Sequence, residues 1–188
     1  MEVLVIRDNA SKFVFRSTNY EEVDKMPKGP AARMGDLTAH GGPLIPGPPS
    51  PNVFIGGQPA WLGMTAAAAA ALAATIAAGA KNVAEKTAQA AAAATAGPVA
   101  SAAAQADLAD ATAKAASDTA NAMTGSGVST NACPVVKLLV PDGIGVVIMP
   151  SQTVFINKWG ACRVGDTIQE VSSVNAIAQG FPTVIIGG

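Results

Sequence analysis

The apolar positions of this chain fall into short runs separated by prolines and glycines. Three of these runs share one pattern, in which a valine precedes two large apolar residues: Val53-Phe54-Ile55, Val154-Phe155-Ile156 and Val184-Ile185-Ile186. Short β-branched and aromatic runs between turn-forming residues are typical of short strands. The pattern therefore predicts a mainly β fold outside the alanine-rich part of the chain.

A second phrase recurs in the same order. Its copies are Pro30-Ala31-Ala32-Arg33-Met34-Gly35-Asp36, Pro59-Ala60-Trp61-Leu62-Gly63 and Gly160-Ala161-Cys162-Arg163-Val164-Gly165-Asp166. Each copy is followed, at some distance, by one of the apolar triplets. A unit this small does not fold alone, so three copies predict one compact body with pseudo-threefold symmetry.

The stretch between residues 64 and 125 has a different composition, because it consists largely of alanine. Alanine is the best helix former, and Gly97-Pro98 interrupts the run near its middle. We therefore predict a helical hairpin inserted into the second repeat, with arms of ~25 residues that reach about 38 Å. Side chains this small bury little area, so we expect the hairpin to be mobile in isolation or ordered by a neighbour.

The remaining segments complete the predicted organisation. Residues 1–25 form an N-terminal strand extension, a β-hairpin that covers a sheet edge or serves as a partner-binding arm. The repeated body spans 26–63 and 126–188. Within it, residues 135–140 and 145–149 are predicted to pair around a turn at Pro141-Asp142-Gly143.

Composition narrows the function classes. The 188 residues carry a formal net charge of −1, which gives no electrostatic reason to expect nucleic acid. The single histidine and the lack of a nucleophile–base set predict that the protein is not an enzyme. No signal peptide is recognisable, so we expect synthesis in the cytoplasm. Residues 64–80 carry no charge, and some membrane contact there is an alternative.

The phrase at Pro30–Asp36, followed by Ser50-Pro51-Asn52-Val53-Phe54-Ile55-Gly56-Gly57, resembles the PAAR-repeat family. The resemblance covers 26–63 and 126–188. It implies a small conical PAAR-type β-fold that caps the trimeric, VgrG-like spike of a type VI secretion system or related contractile injection machine. One copy would sit on each trimer, be delivered outside the cell, and touch the target membrane transiently as it pierces the envelope.

Departures from the family pattern lie in the second and third copies and in the insert. The second copy has Trp61-Leu62-Gly63-Met64 in place of Arg-x-Gly-Asp, and the third begins with glycine instead of proline. The insert suggests two other functions. It is either a docking site for an effector or chaperone, which makes the protein a cargo adaptor, or the active part of a membrane-active effector.

Members of this family often hold a metal near the point of the cone, and the resemblance implies one zinc or iron ion here. His40 lies four residues after Asp36, Glu170 lies four residues after Asp166, and Cys133 follows the insert. Pseudo-threefold symmetry would bring these three together, and all are acceptable zinc ligands. The alternative is a solvated Glu170 and a Cys133 that acts as a small buried hydrophobe.

The remaining conspicuous side chains favour structural roles. Arg33 and Arg163 are predicted to bond carboxylates or turn carbonyls, with anion binding as the alternative. Asp36 and Asp166 are predicted to form turns. Trp61 and Trp159 are predicted to pack between repeats, with an interface anchor as the alternative for Trp159. Cys162 is predicted to be packed and not reactive.

Overall fold

The structure is a computed structural model, and it describes residues 27–137 and 140–187. The strand extension predicted for residues 1–25 lies outside the described residues. In the described part, four strands are followed by two consecutive helices and then by seven further strands. The prediction of a strand-rich fold with helices confined to the alanine-rich stretch is confirmed at this level.

The element bounds are as follows. The strands are β1 Gly29–Ala31, β2 Phe54–Ile55, β3 Gln58–Pro59, β4 Leu62–Gly63, β5 Thr130–Lys137, β6 Val140–Val147, β7 Phe155–Ile156, β8 Trp159–Ala161, β9 Thr167–Glu170, β10 Val174–Ala176 and β11 Phe181–Ile186. The helices are α1 Ala66–Ala93 and α2 Pro98–Thr124. The largest sheet has the order β10-β9-β6-β5, and β4, β8 and β7 form a second sheet.

The three repeats pair in a cyclic order. Strand β2, which ends the first repeat, pairs with β3, which begins the second. Strand β7, which ends the second, pairs with β8, which begins the third. Strand β11, which ends the third, pairs with β1 at the start of the first. All three pairings are antiparallel, so the chain closes a ring of repeats.

A ring of backbone hydrogen bonds joins the repeats at their third motif position. The Trp61 N–H donates to the Ala32 carbonyl at 3.0 Å, the Cys162 N–H to the Trp61 carbonyl at 3.3 Å, and the Ala32 N–H to the Cys162 carbonyl at 2.8 Å. Each repeat therefore donates one bond and accepts one. All three side chains are buried, as predicted for Trp61 and Cys162.

Equivalent residues also fill two core clusters. The first cluster contains the first motif alanine of every repeat and the last residue of every apolar triplet: Ala31, Ala60, Ala161, Ile55, Ile156 and Ile186. The second cluster contains the next motif residue of every repeat with aliphatic partners: Ala32, Trp61, Cys162, Leu44, Val147, Ile168 and Ile177. Trp159 is half-buried and packs against the first cluster and the base of the helices.

Two Arg-x-Gly-Asp turns, in the first and third repeats, have the same local structure. The Arg33 N–H donates to Asp36 Oδ2 at 2.8 Å, and the Arg163 N–H donates to Asp166 Oδ2 at 2.9 Å. Each guanidinium also binds the same carboxylate. The third turn residue has φ +91° at Gly35 and +90° at Gly165, a region that favours glycine. These contacts agree with the structural role predicted for both arginines and aspartates.

The two turns differ in burial. The Arg33 side chain is partly exposed and lies over the Phe181 ring, 4.6 Å from its centroid. Arg163 is buried and also donates to the Pro27 carbonyl at 2.7 Å. Burial raises the pKa of Asp166 to about 6, although hydrogen bonds and the charge of Arg163 oppose the shift.

The two helices form an antiparallel pair that rises from the β body. Thr65 caps α1 by accepting a hydrogen bond from the Ala68 N–H. The inward positions of α1 alternate in steps of four and three, which is coiled-coil spacing: Leu72, Ile76, Gly79, Val83, Lys86 and Ala90. At Gly79 the helices approach so closely that an added Cβ would lie 2.9 Å from Ala115 Cβ.

In the part of the chain that the structure describes, the base of the helix pair packs on the body through a third cluster that we call the hairpin base: Met64, Leu72, Met123, Val128 and Val146. The distal turns contact one another through small residues and one exposed ion pair between Lys86 and Asp107 at 3.2 Å. Among the described residues, α1 is the one helix long and apolar enough to cross a membrane. Its most apolar segment of 18 residues has a mean hydropathy of 1.3 and is 6% buried.

The predicted pairing of 135–140 with 145–149 is wrong in its register. Strand β5 ends at Lys137 and β6 begins at Val140, so Pro141-Asp142-Gly143 lies within a strand and is not the turn. Gly143 pairs with Cys133, and the register shifts between Cys133 and Val136. Pro134 lies within that shift and cannot donate to the ladder, which explains the irregularity.

Candidate metal centre

Four potential metal ligands lie together beside the largest sheet. They are the three residues that the sequence nominated, His40, Cys133 and Glu170, together with Asp142. One ligand atom from each lies within 4.8 Å of every other. Both carboxylate side chains are fully buried, and the imidazole is partly exposed. The group is therefore an interior site with one side open to solvent.

Each ligand comes from a different segment. Cys133 lies on β5 and Asp142 on the neighbouring β6, next to the pairing of Cys133 with Gly143. Glu170 ends β9, which pairs with β6 so that Glu170 faces Gly145. His40 lies in the loop after the Arg33–Asp36 turn, and that loop is held against β10 by the bridge between Thr38 and Ile177.

The interatomic distances suit one tetrahedral ion. His40 Nδ1 lies 3.1 Å from Glu170 Oε2, 3.4 Å from Cys133 Sγ and 3.6 Å from Asp142 Oδ2. Cys133 Sγ lies 3.9 Å from Asp142 Oδ2. Four ligands at ordinary zinc distances are separated by about 3.3 Å for nitrogen and oxygen pairs and about 3.6 Å for pairs that include sulfur. The donor atoms therefore fit an ion of this type with small adjustments.

The charges around Cys133 favour the protonated thiol in the absence of a cation. Burial raises the pKa of Cys133 to about 11, and the neighbouring carboxylates Glu170 and Asp142 add to the increase. A thiol with this pKa is neutral near pH 7. A bound cation would instead favour the thiolate form of Cys133, because its charge stabilises the thiolate and the two buried carboxylates.

Polar side chains surround the two carboxylates. Ser172 Oγ donates to Asp142 Oδ1 at 2.8 Å. Glu170 Oε1 accepts from Asn175 Nδ2 at 2.7 Å, and Glu170 Oε2 accepts from Ser173 Oγ at 2.6 Å. Metal-ligating carboxylates in proteins are commonly held by such outer hydrogen bonds.

Sequence reasoning missed Asp142 as a member of this group. The residue was assigned to a turn, because Pro-Asp-Gly is a strong turn signal. Two of the other ligands are marked by the aspartates at Asp36 and Asp166, and the second repeat has no matching aspartate. A usable signal was its strand-pair relation to Cys133, which depends on the register of β5 and β6.

No protein-family model, no curated protein and no solved structure matches this chain.

Proposed function

We propose that this protein is the tip of a trimeric spike in a contractile injection machine, and that its body is a pseudo-threefold cone of the PAAR type. The observation that carries the proposal is the cyclic pairing of the three repeats, in which β2 pairs with β3, β7 with β8, and β11 with β1. One polypeptide built this way presents three related strand ends. A monomer can thereby match a threefold partner.

The surface best suited to such a partner is a set of three equivalent apolar side chains. The middle residue of each apolar triplet is exposed, with 59% exposure at Phe54, 44% at Phe155 and 49% at Ile185. Their neighbours in each strand, by contrast, belong to the first core cluster. We call these three residues the apolar ring. Large apolar side chains repeated around a rotation axis favour contact with three identical chains.

We infer that the metal group lies toward the other end of the body. Its ligands flank the second core cluster, since Glu170 shares β9 with Ile168 and His40 precedes Leu44 in the same loop. This order of apolar ring, first cluster, second cluster and metal group supports an axial arrangement. We propose that the ring contacts the spike and that the metal group lies near the free point, where one zinc or iron ion joins four segments of the chain.

Binding to the spike tests the proposal. The purified protein is mixed with the trimeric VgrG-like spike protein of the same cell, and the mass of the complex is measured by analytical ultracentrifugation. We expect one chain per trimer. The double variant Phe54→Asp/Phe155→Asp should lose binding, because it places charges in the apolar contact.

A matched control for the double variant is Val99→Asp, which places the same charge at an exposed apolar residue of α2, at 83% exposure. This variant should bind as the wild type does. Wild-type binding by the ring variant, with its fold intact by circular dichroism, would refute the proposed docking surface. Failure of the unmodified protein to form any complex with the trimer would refute the spike-tip function.

Metal analysis of the purified protein tests the proposed metal centre. We expect about one zinc or iron ion per chain in protein purified without chelators, and loss of the ion in His40→Ala. A metal-free wild type, still metal-free after incubation with zinc, would end this part of the proposal without affecting the docking surface.

A cargo-adaptor role for the helix pair is the second candidate. It is favoured by the shape of the pair, because in the described residues the hairpin base packs on the body and the side chains of the distal turns are mostly exposed. Gly79 and Ala115 lie against each other, so residues 80–114 can be replaced by a short loop without disturbing the base.

The protein in which a short loop replaces residues 80–114 distinguishes the spike-tip role from the cargo-adaptor role. Spike binding that persists while a co-purifying effector or chaperone is lost supports the adaptor role. Loss of spike binding would instead assign the distal helices to the spike interface. Leakage of dye from liposomes treated with the full protein, absent with the shortened one, would favour a membrane-active insert.

A further inference from the structure

The two carboxylates of the metal group are each engaged at the oxygen that is not directed at the other ligands. Asp142 Oδ2 approaches His40 and Cys133, while Asp142 Oδ1 accepts from Ser172. Glu170 Oε2 approaches His40 and also accepts from Ser173 Oγ, while Glu170 Oε1 accepts from Asn175. Each carboxylate therefore offers one oxygen to an ion and has its second oxygen tied to a neighbour.

The orientation of the Asn175 amide is fixed by its surroundings. Asn175 Oδ1 accepts from the Ala176 N–H at 2.8 Å and from the His40 N–H at 3.2 Å. Its Nδ2 must then face Glu170, where the donor is needed. Asn175 is also buried. This one side chain therefore holds the His40 loop and the Glu170 carboxylate in fixed relation to each other.

The Ser172 hydroxyl has the corresponding position at Asp142. Ser172 lies in the tight turn between β9 and β10, in which the Glu170 N–H donates to the Ser173 carbonyl at 2.8 Å. The Val171 N–H of the same turn donates to the Asp142 carbonyl at 3.0 Å. Both the backbone and the side chains of this turn therefore fix the position of Asp142.

We propose that Ser172 and Asn175 are positioning residues that select the ion, an inference that rests on the metal centre proposed above. By restricting Asp142 and Glu170 to one oxygen each, they limit the site to four donor atoms, one nitrogen, one sulfur and two oxygens. Four donors suit Zn²⁺ or a similar transition-metal ion. Ca²⁺ takes six to eight oxygen ligands and often binds carboxylates through both oxygens, so this arrangement disfavours it.

Metal titration with an optical probe tests the inference. Metal-free full-length protein is titrated with Zn²⁺, Co²⁺ and Ca²⁺, and the visible absorption of bound Co²⁺ reports the coordination number. Wild type should bind Zn²⁺ and Co²⁺ with the intense bands of four-coordinate cobalt. Asn175→Ala and Ser172→Ala should each bind Zn²⁺ about 10–100-fold more weakly. Their cobalt bands should weaken as the released carboxylate turns to bind through both oxygens.

Two further variants separate positioning from folding. Ser172→Thr keeps the hydroxyl donor and should restore wild-type affinity and spectrum. Asn157→Gly removes an asparagine that donates to Ser50 and Asn52 far along the chain from the ligands, and it should leave metal binding unchanged. Glycine is chosen because Asn157 has a φ of +52°. The Ser172 pair decides the question if Asn175→Ala fails to fold.

The outcomes are distinct. If wild type binds Zn²⁺ and Co²⁺ but Ser172→Ala and a folded Asn175→Ala keep its affinity and spectrum, the positioning role is refuted and the metal centre stands. If wild type binds neither ion, the metal centre and this inference both fail.

Discussion

The β body and the helix pair are stabilised in different ways, although they belong to one continuous chain. The described strands of the body are short, none longer than eight residues, and its stability depends on particular residues at particular turns and core positions. The helix pair has two helices of 28 and 27 residues whose stability comes mainly from the helix propensity of alanine. The body should therefore be sensitive to single substitutions and the helix pair tolerant of them.

The largest effect is expected from Trp61→Ala in the second core cluster. Trp61 is fully buried and occupies the position that Ala32 and Cys162 fill in the other repeats, so no neighbour can take its volume. We expect a loss of about 3–5 kcal/mol in the free energy of unfolding, measured by urea denaturation. Val99→Ala on the exposed face of α2 is the control and should have almost no effect.

The two Arg-x-Gly-Asp turns provide the next test. Arg163→Ala leaves the buried Asp166 without its main cation and should cost about 3–5 kcal/mol. Arg33→Ala removes a partly exposed pair and a stacking contact with Phe181, and it should cost about 1 kcal/mol. Equal losses in thermal and urea denaturation would show that burial does not distinguish the two turns.

The pH dependence of the free energy of unfolding also distinguishes the buried turn from the exposed one. The expected change is smaller than for Arg163→Ala, because Asp166 keeps its ion pair with Arg163. Its folded pKa of about 6 exceeds the ordinary value of 3.8, so the folded state binds more protons between these pH values. The contribution of Asp166 is therefore fully present below pH 3.8 and is lost as pH rises through 6. In Asp166→Asn this slope should disappear from urea denaturation curves measured between pH 4 and 7.

In the helix pair, the most sensitive position should be Gly79. Leucine there would collide with Ala115, so Gly79→Leu should separate the helices at a local cost of about 1–3 kcal/mol. Hydrogen exchange should accelerate in the distal helices and stay unchanged in the body. Faster exchange throughout the body would mean that the helix pair and the body unfold as one unit.

The smallest effect is expected at the exposed ion pair between the helices. Lys86→Ala removes a contact of 3.2 Å to Asp107 in which both side chains reach solvent. The cost should be below about 1 kcal/mol and should vanish at high salt. Hydrogen exchange in 1 M salt, compared with low salt, measures it.

The sequence predicted the parts of the fold that depend on which residues are present and on the order of the repeated motifs. The repeated phrases located the motif residues that form the hydrogen-bonded ring at Ala32, Trp61 and Cys162, and alanine content located both helices. Strand register was harder, because the turn signal at Pro141–Gly143 competed with the bulge caused by Pro134.

The candidate site was predicted in part for the same reason. His40 and Glu170 follow equivalent turns, so spacing nominated them, and Cys133 was one of two cysteines. Asp142 depended on the register that the sequence left ambiguous. Ser172 and Asn175 were missed because short polar residues after a strand are common, and their contacts with Asp142 and Glu170 follow from how the turn folds back.

The pairing of β11 with β1 has a consequence for the nascent protein. On the ribosome, Gly29 emerges long before Ile186, its partner in the finished ring. At ordinary synthesis rates this delay lasts roughly 8 to 30 s. Until β11 is synthesised, the first cluster lacks Ile186, and the side chains of Ala31 and Ile55 remain exposed to solvent. Chaperone binding or proteolysis of the growing chain should therefore concentrate in this interval and end when β11 arrives.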